Sequence, residues 1–164
     1  HRPRMKALIE AGADILACET IPCLIEAKAI ANLLNEFKDV YAWISFSCKN
    51  EHEISDGTLI SKCAEELNKA SKIAAVGINC TAPKYITSLL SDIKNNSKKP
   101  IVVYPNSGEE YEVETKCWHG NSSSKAYGES SKLWYGAGAR LIGGCCRTTP
   151  EDIKAVAAWA RKSM

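Results

Sequence analysis

Three cysteines stand where thiol chemistry could be done. Cys80 closes the run Gly77-Ile78-Asn79-Cys80, and Cys145 and Cys146 close the run Gly143-Gly144-Cys145-Cys146. Both runs read as strand ends. Successive residues of a regular strand point to opposite faces. Cys145 and Cys146 can therefore face one point only where the backbone turns, and the glycine pair before them supplies permissive dihedrals. Three thiolates converging from two strand ends would make a three-cysteine zinc site with an open fourth position, as in catalytic rather than structural zinc. The plainer alternative is three small buried residues in a glycine-rich strand end. The other cysteines, Cys18, Cys23, Cys48, Cys63 and Cys117, are assigned to packing or chance.

The elements that must position these thiols are short apolar runs alternating with helical patterns. The expected strands are Ile15–Glu19, Trp43–Ser47, Ala74–Cys80, Ile101–Pro105 and Arg140–Cys146. They are largely apolar and bounded by Gly, Asn or Pro, as buried parallel strands are. Their starts lie 27 to 39 residues apart, the spacing of repeated βα units. Helices are expected over Pro3–Glu10, Cys23–Phe37, Thr58–Ala70, Pro83–Asn95 and Ser122–Tyr135. A last helix is opened by a Thr149 N-cap hydroxyl, Pro150, Glu151 and Asp152. Neither GxGxxG nor GxxxxGK[ST] occurs, which weakens a nucleotide-binding open sheet. The polar and reactive residues cluster after strand ends instead: Glu19-Thr20, Asn79-Cys80, Asn106-Ser107-Gly108 and Cys145-Cys146. A (β/α)8 barrel keeps its active site there.

Composition narrows the classes further. The net charge of +2 is too balanced for a nucleic-acid footprint. With 45% hydrophobic and 24% charged residues, disordered and fibrous classes are excluded. No apolar run approaches the roughly 18 residues of a membrane helix. Eight cysteines without a secretory pattern suit a reduced, cytoplasmic protein better than a disulfide scaffold. The Asn-x-Ser/Thr triplets at Asn79, Asn95 and Asn121 are expected to be chance matches. The three histidines, His1, His52 and His119, lie in terminal or loop contexts, so no Ser-His-Asp or Cys-His constellation stands out. The four tryptophans read as packing residues, and Asn121–Ser124 as a solvated loop.

Gly77-Ile78-Asn79-Cys80, Tyr104-Pro105-Asn106-Ser107-Gly108 and Gly143-Gly144-Cys145-Cys146-Arg147-Thr148-Thr149-Pro150 closely resemble motifs of the homocysteine S-methyltransferases. The likeness is nearest to the branch using S-methylmethionine or S-adenosylmethionine. His1–Arg4, Ala17–Thr20 and Ser55–Thr58 also look like that branch, and the resemblance runs essentially the whole chain. It implies a zinc methyltransferase on a (β/α)8 barrel, with Cys80, Cys145 and Cys146 as zinc ligands and homocysteine thiolate as the fourth. It gives Glu19 the role of binding the homocysteine ammonium, against a structural salt bridge, and leaves Asn79 either orienting the site or capping a turn. Tyr104, Asn106 and Ser107 could face the donor or simply form a turn.

Two rival functions remain. One is a related zinc methyltransferase using betaine, a methylcorrinoid or selenocysteine. The other is an inactive partial barrel that binds only metal, or a partner chain through open strand edges. The second matters because 164 residues hold about five and a half βα units, where a barrel takes about 250 residues. Residues 1–164 are therefore expected to form the C-terminal portion of a homocysteine-binding (β/α)8 domain whose N-terminal strands are absent, with poor stability and little activity alone.

Overall fold

Helix α1 (Arg2–Glu10) starts on a proline turn and delivers the chain to β1 (Leu16–Ile21). There follow α2 (Leu24–Leu34), β2 (Ala42–Phe46), α3 (Ile60–Asn68), β3 (Ile73–Asn79), α4 (Pro83–Asn96) and β4 (Ile101–Tyr104). A hairpin of β5 (Glu110–Glu112) and β6 (Cys117–His119) then precedes α5 (Ser124–Ala137), β7 (Ala139–Ile142) and α6 (Pro150–Ala160). The structure is a computed structural model and describes residues 1–120 and 123–162; the Asn121 triplet and the expected helix start at Ser122 lie outside them.

Strands β1, β2, β3, β4 and β7 form one parallel sheet in chain order. All five expected strands are therefore present, joined by helices. The chain is α/β, with the topology of five consecutive units of a (β/α)8 barrel.

Register divides the sheet into two unlike faces. One carries the rows Cys18–Ile44–Val76–Ile101–Ala139 and Ile21–Phe46–Ile78–Val103–Ile142. These pack against Ile30 and Leu34 of α2, Ile60 and Leu67 of α3, and Ile86, Leu89 and Ile93 of α4 to make the hydrophobic core. Each such aliphatic side chain contributes about 1.5–3 kcal/mol on burial. The opposite face carries Ala17–Trp43–Ala75, Ser45–Gly77–Val102–Leu141 and Asn79–Tyr104. Ala75 and Val102 are buried but stand outside the helix-packed core. That second face corresponds to the inside of a barrel, and it carries polar groups.

The hairpin was not expected from the sequence. Its three-residue strands are too short to register as a periodic signal. The last strand is also shorter than expected: it ends at Ile142.

Candidate metal centre

Cys80 follows β3 with φ of 50°, a left-handed conformation rare for a residue with a side chain. Its N–H donates to the Tyr104 carbonyl at 3.3 Å, which ties the corner to the end of β4. Beyond β7 the backbone keeps pace with β4 for three more residues. Gly143 N–H donates to Val103 O and Cys145 N–H to Pro105 O, both at 2.9 Å. The chain then turns. Thr148 N–H and Oγ1 donate to the Cys145 carbonyl at 3.1 and 2.7 Å, and Arg147 takes φ of 65°.

The left-handed residue of this turn is thus Arg147, and neither Gly143 nor Gly144 adopts a positive φ. The expected permissive dihedrals are not what the glycines supply. Gly144 supplies space, because a Cβ there would lie 2.4 Å from Thr148 Oγ1. Tyr127 of α5 braces the turn from below, donating to Gly143 O at 2.9 Å.

The result brings the three thiols together. Their sulfurs all lie within 4.8 Å of one another, with Cys80 and Cys146 at 3.5 Å. All three side chains are half-buried, and among the described residues no other group of His, Cys, Asp and Glu converges in this way. Burial, with the neighbouring Cys146 and Cys145 sulfurs, pushes the Cys80 thiol up to about 12. A bound cation reverses that, since a coordinating thiol is deprotonated outright. A compact donor set of three sulfurs fits a thiophilic ion such as zinc. The remaining cysteines are free and apart from this group. Burial likewise raises Cys18 to about 11, and Cys48 and Cys63 to about 12, which favours the protonated thiol near neutrality.

Below the thiols, a belt of hydrogen bonds crosses the polar face. Asn79, 2% exposed, accepts from Thr20 N–H at 2.8 Å and Ser45 Oγ at 2.9 Å, and donates to Thr20 Oγ1 at 2.7 Å. Ser45 Oγ meets the Tyr104 hydroxyl at 2.5 Å, and Trp43 Nε1 donates to the same hydroxyl at 3.1 Å. Thr20 itself is left-handed, with φ of 58°. Glu19, just before it, is exposed and forms no ion pair among the described residues. Burial pushes the Tyr104 hydroxyl up to about 12, against the hydrogen bonds of Ser45 and Trp43 and with the help of the Glu19 carboxylate.

Of the remaining expected site residues, Asn106 donates its N–H to Thr81 O, and Ser107 donates its N–H to Cys146 O, each at 3.0 Å. The buried Asn106 Oδ1 has no hydrogen-bond partner among the described residues. Arg147 reaches across to Glu109 at 2.8 Å. Trp43 and Ser45 are the residues that sequence reasoning missed. No linear motif joins them to Asn79 and Tyr104; only the strand register does.

A parallel βα sheet with three thiols gathered at its carboxyl rim defines a barrel-type chain with a sulfur donor set. The family model of homocysteine S-methyltransferase matches residues 1–160, and the chain belongs to that family. It is 62% identical over 161 residues to homocysteine S-methyltransferase YbgG of Bacillus subtilis strain 168, a match covering 98% of this chain and 51% of that protein. It is 44% identical to a selenocysteine Se-methyltransferase of Brassica oleracea, over 95% of this chain and 46% of that one. The oxidized form of the homocysteine methyltransferase MmuM of Escherichia coli superposes with a TM-score of 0.84 at 41% identity, covering 97% of this chain and 50% of that one. Its metallated form gives a TM-score of 0.82. The chain spans about half the length of the relatives it matches.

Proposed function

We propose that residues 1–164 are the C-terminal portion of a homocysteine-binding (β/α)8 domain, and that the whole domain moves a methyl group from a sulfonium to homocysteine. The donor is S-methylmethionine or S-adenosylmethionine, and the product is methionine. The homocysteine sulfur forms a bond to the methyl carbon while the sulfonium C–S bond breaks. The donor leaves as a neutral thioether, and the thiol proton passes to solvent. The observation that carries this reading is the cluster of Cys80, Cys145 and Cys146 at the rim.

The three cysteines would hold zinc. Bound there, zinc would keep the substrate sulfur as thiolate at neutral pH, where a free thiol is mostly protonated. The chain's own residues then supply position. Glu19 offers its carboxylate to the substrate ammonium from the end of β1. Asn79, committed to Thr20 and Ser45, orients the site by holding β1 and β2 to β3. Ser107, bonded to Cys146, keeps the loop after β4 against the cluster. A cytoplasmic location belongs to the same reading, and free thiols support it. Selenocysteine as the acceptor is a second reading, favoured by the Brassica relative.

The test joins the first half of the Bacillus subtilis protein to residues 1–164. Zinc content is measured by mass spectrometry, and methionine formation from homocysteine and S-methylmethionine is followed. One zinc per chain and steady turnover are expected, with both lost in Cys145→Ser. Zinc and activity retained in that variant would overturn the metal assignment.

A further inference from the structure

A second concave site lies at the feet of β4 and β7, at the opposite end of these strands from the thiols. A pocket of about 350 Å³ opens there between the end of α4 and the α5–β7 turn. Lys94, Lys98, Lys99 and Arg140 all line it, and no carboxylate does. None of these four cations forms an ion pair among the described residues.

The loop that presents two of them is pinned. Asn68, the last residue of α3, accepts from Lys98 N–H at 3.0 Å and from Ser97 Oγ at 3.3 Å. Ser97 Oγ in turn accepts from Lys99 N–H at 3.2 Å. Lys94 reaches the pocket across Gly138, where a Cβ would lie 3.1 Å from Lys94 Cδ. Arg140 is held over the Tyr135 ring at 4.7 Å. Groups fixed in this way lose little freedom when a ligand arrives.

Helix ends explain only part of the cluster. Lys99 Nζ donates to the Ala70 and Ile73 carbonyls at 2.9 and 2.7 Å, just past α3. Arg140 Nη1 donates to the Tyr135 and Ala139 carbonyls at 3.1 and 2.8 Å, at the end of α5. Lys94 stands in the last turn of α4. A helix carboxyl end carries about half a negative charge, so three such ends cannot balance four full cations. The ammonium groups of Lys94 and Lys98 have no acceptor among the described residues. Burial holds the Lys99 ammonium below its ordinary 10.5, with no anion opposing it.

We propose that this pocket binds a small anion carrying two or more linked phosphates. A carboxylate or a single phosphate would leave most of the four cations uncompensated. A diphosphate offers several charged oxygens to ammonium and guanidinium donors at once. Its size suits the pocket, which falls in the lower range of small-molecule sites. Free pyrophosphate and the phosphate chain of a nucleotide share this chemistry. The proposal is independent of the methyl-transfer reading, because no residue of the thiol site takes part.

The chimera of the Bacillus subtilis half and residues 1–164 is titrated calorimetrically with pyrophosphate, and one site per chain is expected. Lys94→Gln and Lys98→Gln each remove a charge and break no side-chain hydrogen bond. Each should weaken binding about tenfold, the worth of one hydrogen bond to a charged group. Lys154→Gln, which removes a charge on α6, should leave the affinity unchanged. Circular dichroism checks that every variant is folded. A parallel titration with ATP separates the two sources. ATP binding more tightly than pyrophosphate assigns a nucleotide, and ATP binding no more tightly assigns the phosphate chain alone. Binding of neither ligand overturns the proposal. So does an affinity unchanged in the Lys94→Gln, Lys98→Gln double variant, which would place the anion elsewhere, a metal at the thiols included. Equal weakening in Lys154→Gln would reduce the binding to diffuse attraction and overturn it as well.

Discussion

At Gly77 the sheet leaves no room for a side chain. A Cβ there would stand 1.7 Å from the Val102 carbonyl oxygen and 2.6 Å from Val102 Cγ1. Both neighbours belong to β4, whose backbone is held by its ladders to β3 and β7, so neither can step aside. The close approach matters to the site because Gly77 lies two residues before Asn79, on the same face. Gly77→Ala is expected to destabilise the protein by about 3 kcal/mol, at the upper end of overpacking costs. Urea denaturation followed by circular dichroism measures it. A loss under about 0.5 kcal/mol, the range of an ordinary surface change, would mean the two strands can part freely. At the same scale, the cysteine trio was legible because residue type and strand-end position together carry the signal. Asn79 and Glu19 were legible as candidates, but what Asn79 touches was not. Its partners Thr20 and Ser45 sit 59 and 34 residues away, and nothing local in the sequence marks them.

Among the elements, α6 starts just past the thiol turn, so its capping bears on how that turn is held. The expected N-cap is present at Thr149, in a capping box closed by the Asp152 side chain. Asp152 accepts from Thr149 N–H at 2.7 Å and from Thr149 Oγ1 at 2.8 Å. Burial alone would raise the Asp152 carboxyl, yet the hydrogen bonds from Thr149 and Ser124 outweigh it and hold it below its ordinary 3.8. A depressed carboxyl contributes stability above its unfolded value and loses it as pH falls through the folded one. The stabilisation is therefore expected to persist down to about pH 4 and to fade below. Asp152→Ala should cost about 1 kcal/mol near neutrality, and the difference from the unaltered protein should vanish in acid. Denaturation midpoints at several pH values read this directly; a gap that persisted in acid would rule out the carboxylate as its source. The helices were legible because apolar period and length agree over nine or more residues, and the parallel strands because short apolar runs recur between them. The β5–β6 hairpin was not, and the end of β7 was misjudged because its apolar run continues past the last ladder pair into the turn.

For the whole molecule, the sheet is covered on one face and open at both sides. Among the described residues β1 and β7 each have a strand neighbour on one side only, so each presents a row of unpaired backbone groups. The face that corresponds to a barrel interior also leaves Leu141 44% exposed in the middle of β7, and Ile15 stands 39% exposed at the foot of β1. An uncovered strand edge beside exposed aliphatic side chains is a template for pairing with another chain. The 164-residue chain is accordingly predicted to self-associate, with sedimentation velocity showing an average mass that rises with concentration. Leu141→Lys puts a charge on the β7 edge, the residue type that blunts edges in natural sheets. It also removes an aliphatic contact worth about 1.5 kcal/mol, so association should weaken about tenfold. Sedimentation as a monomer at every concentration would show that the edges protect themselves. Association undiminished in Leu141→Lys would move the contact to β1, where Ala17→Lys is the corresponding variant.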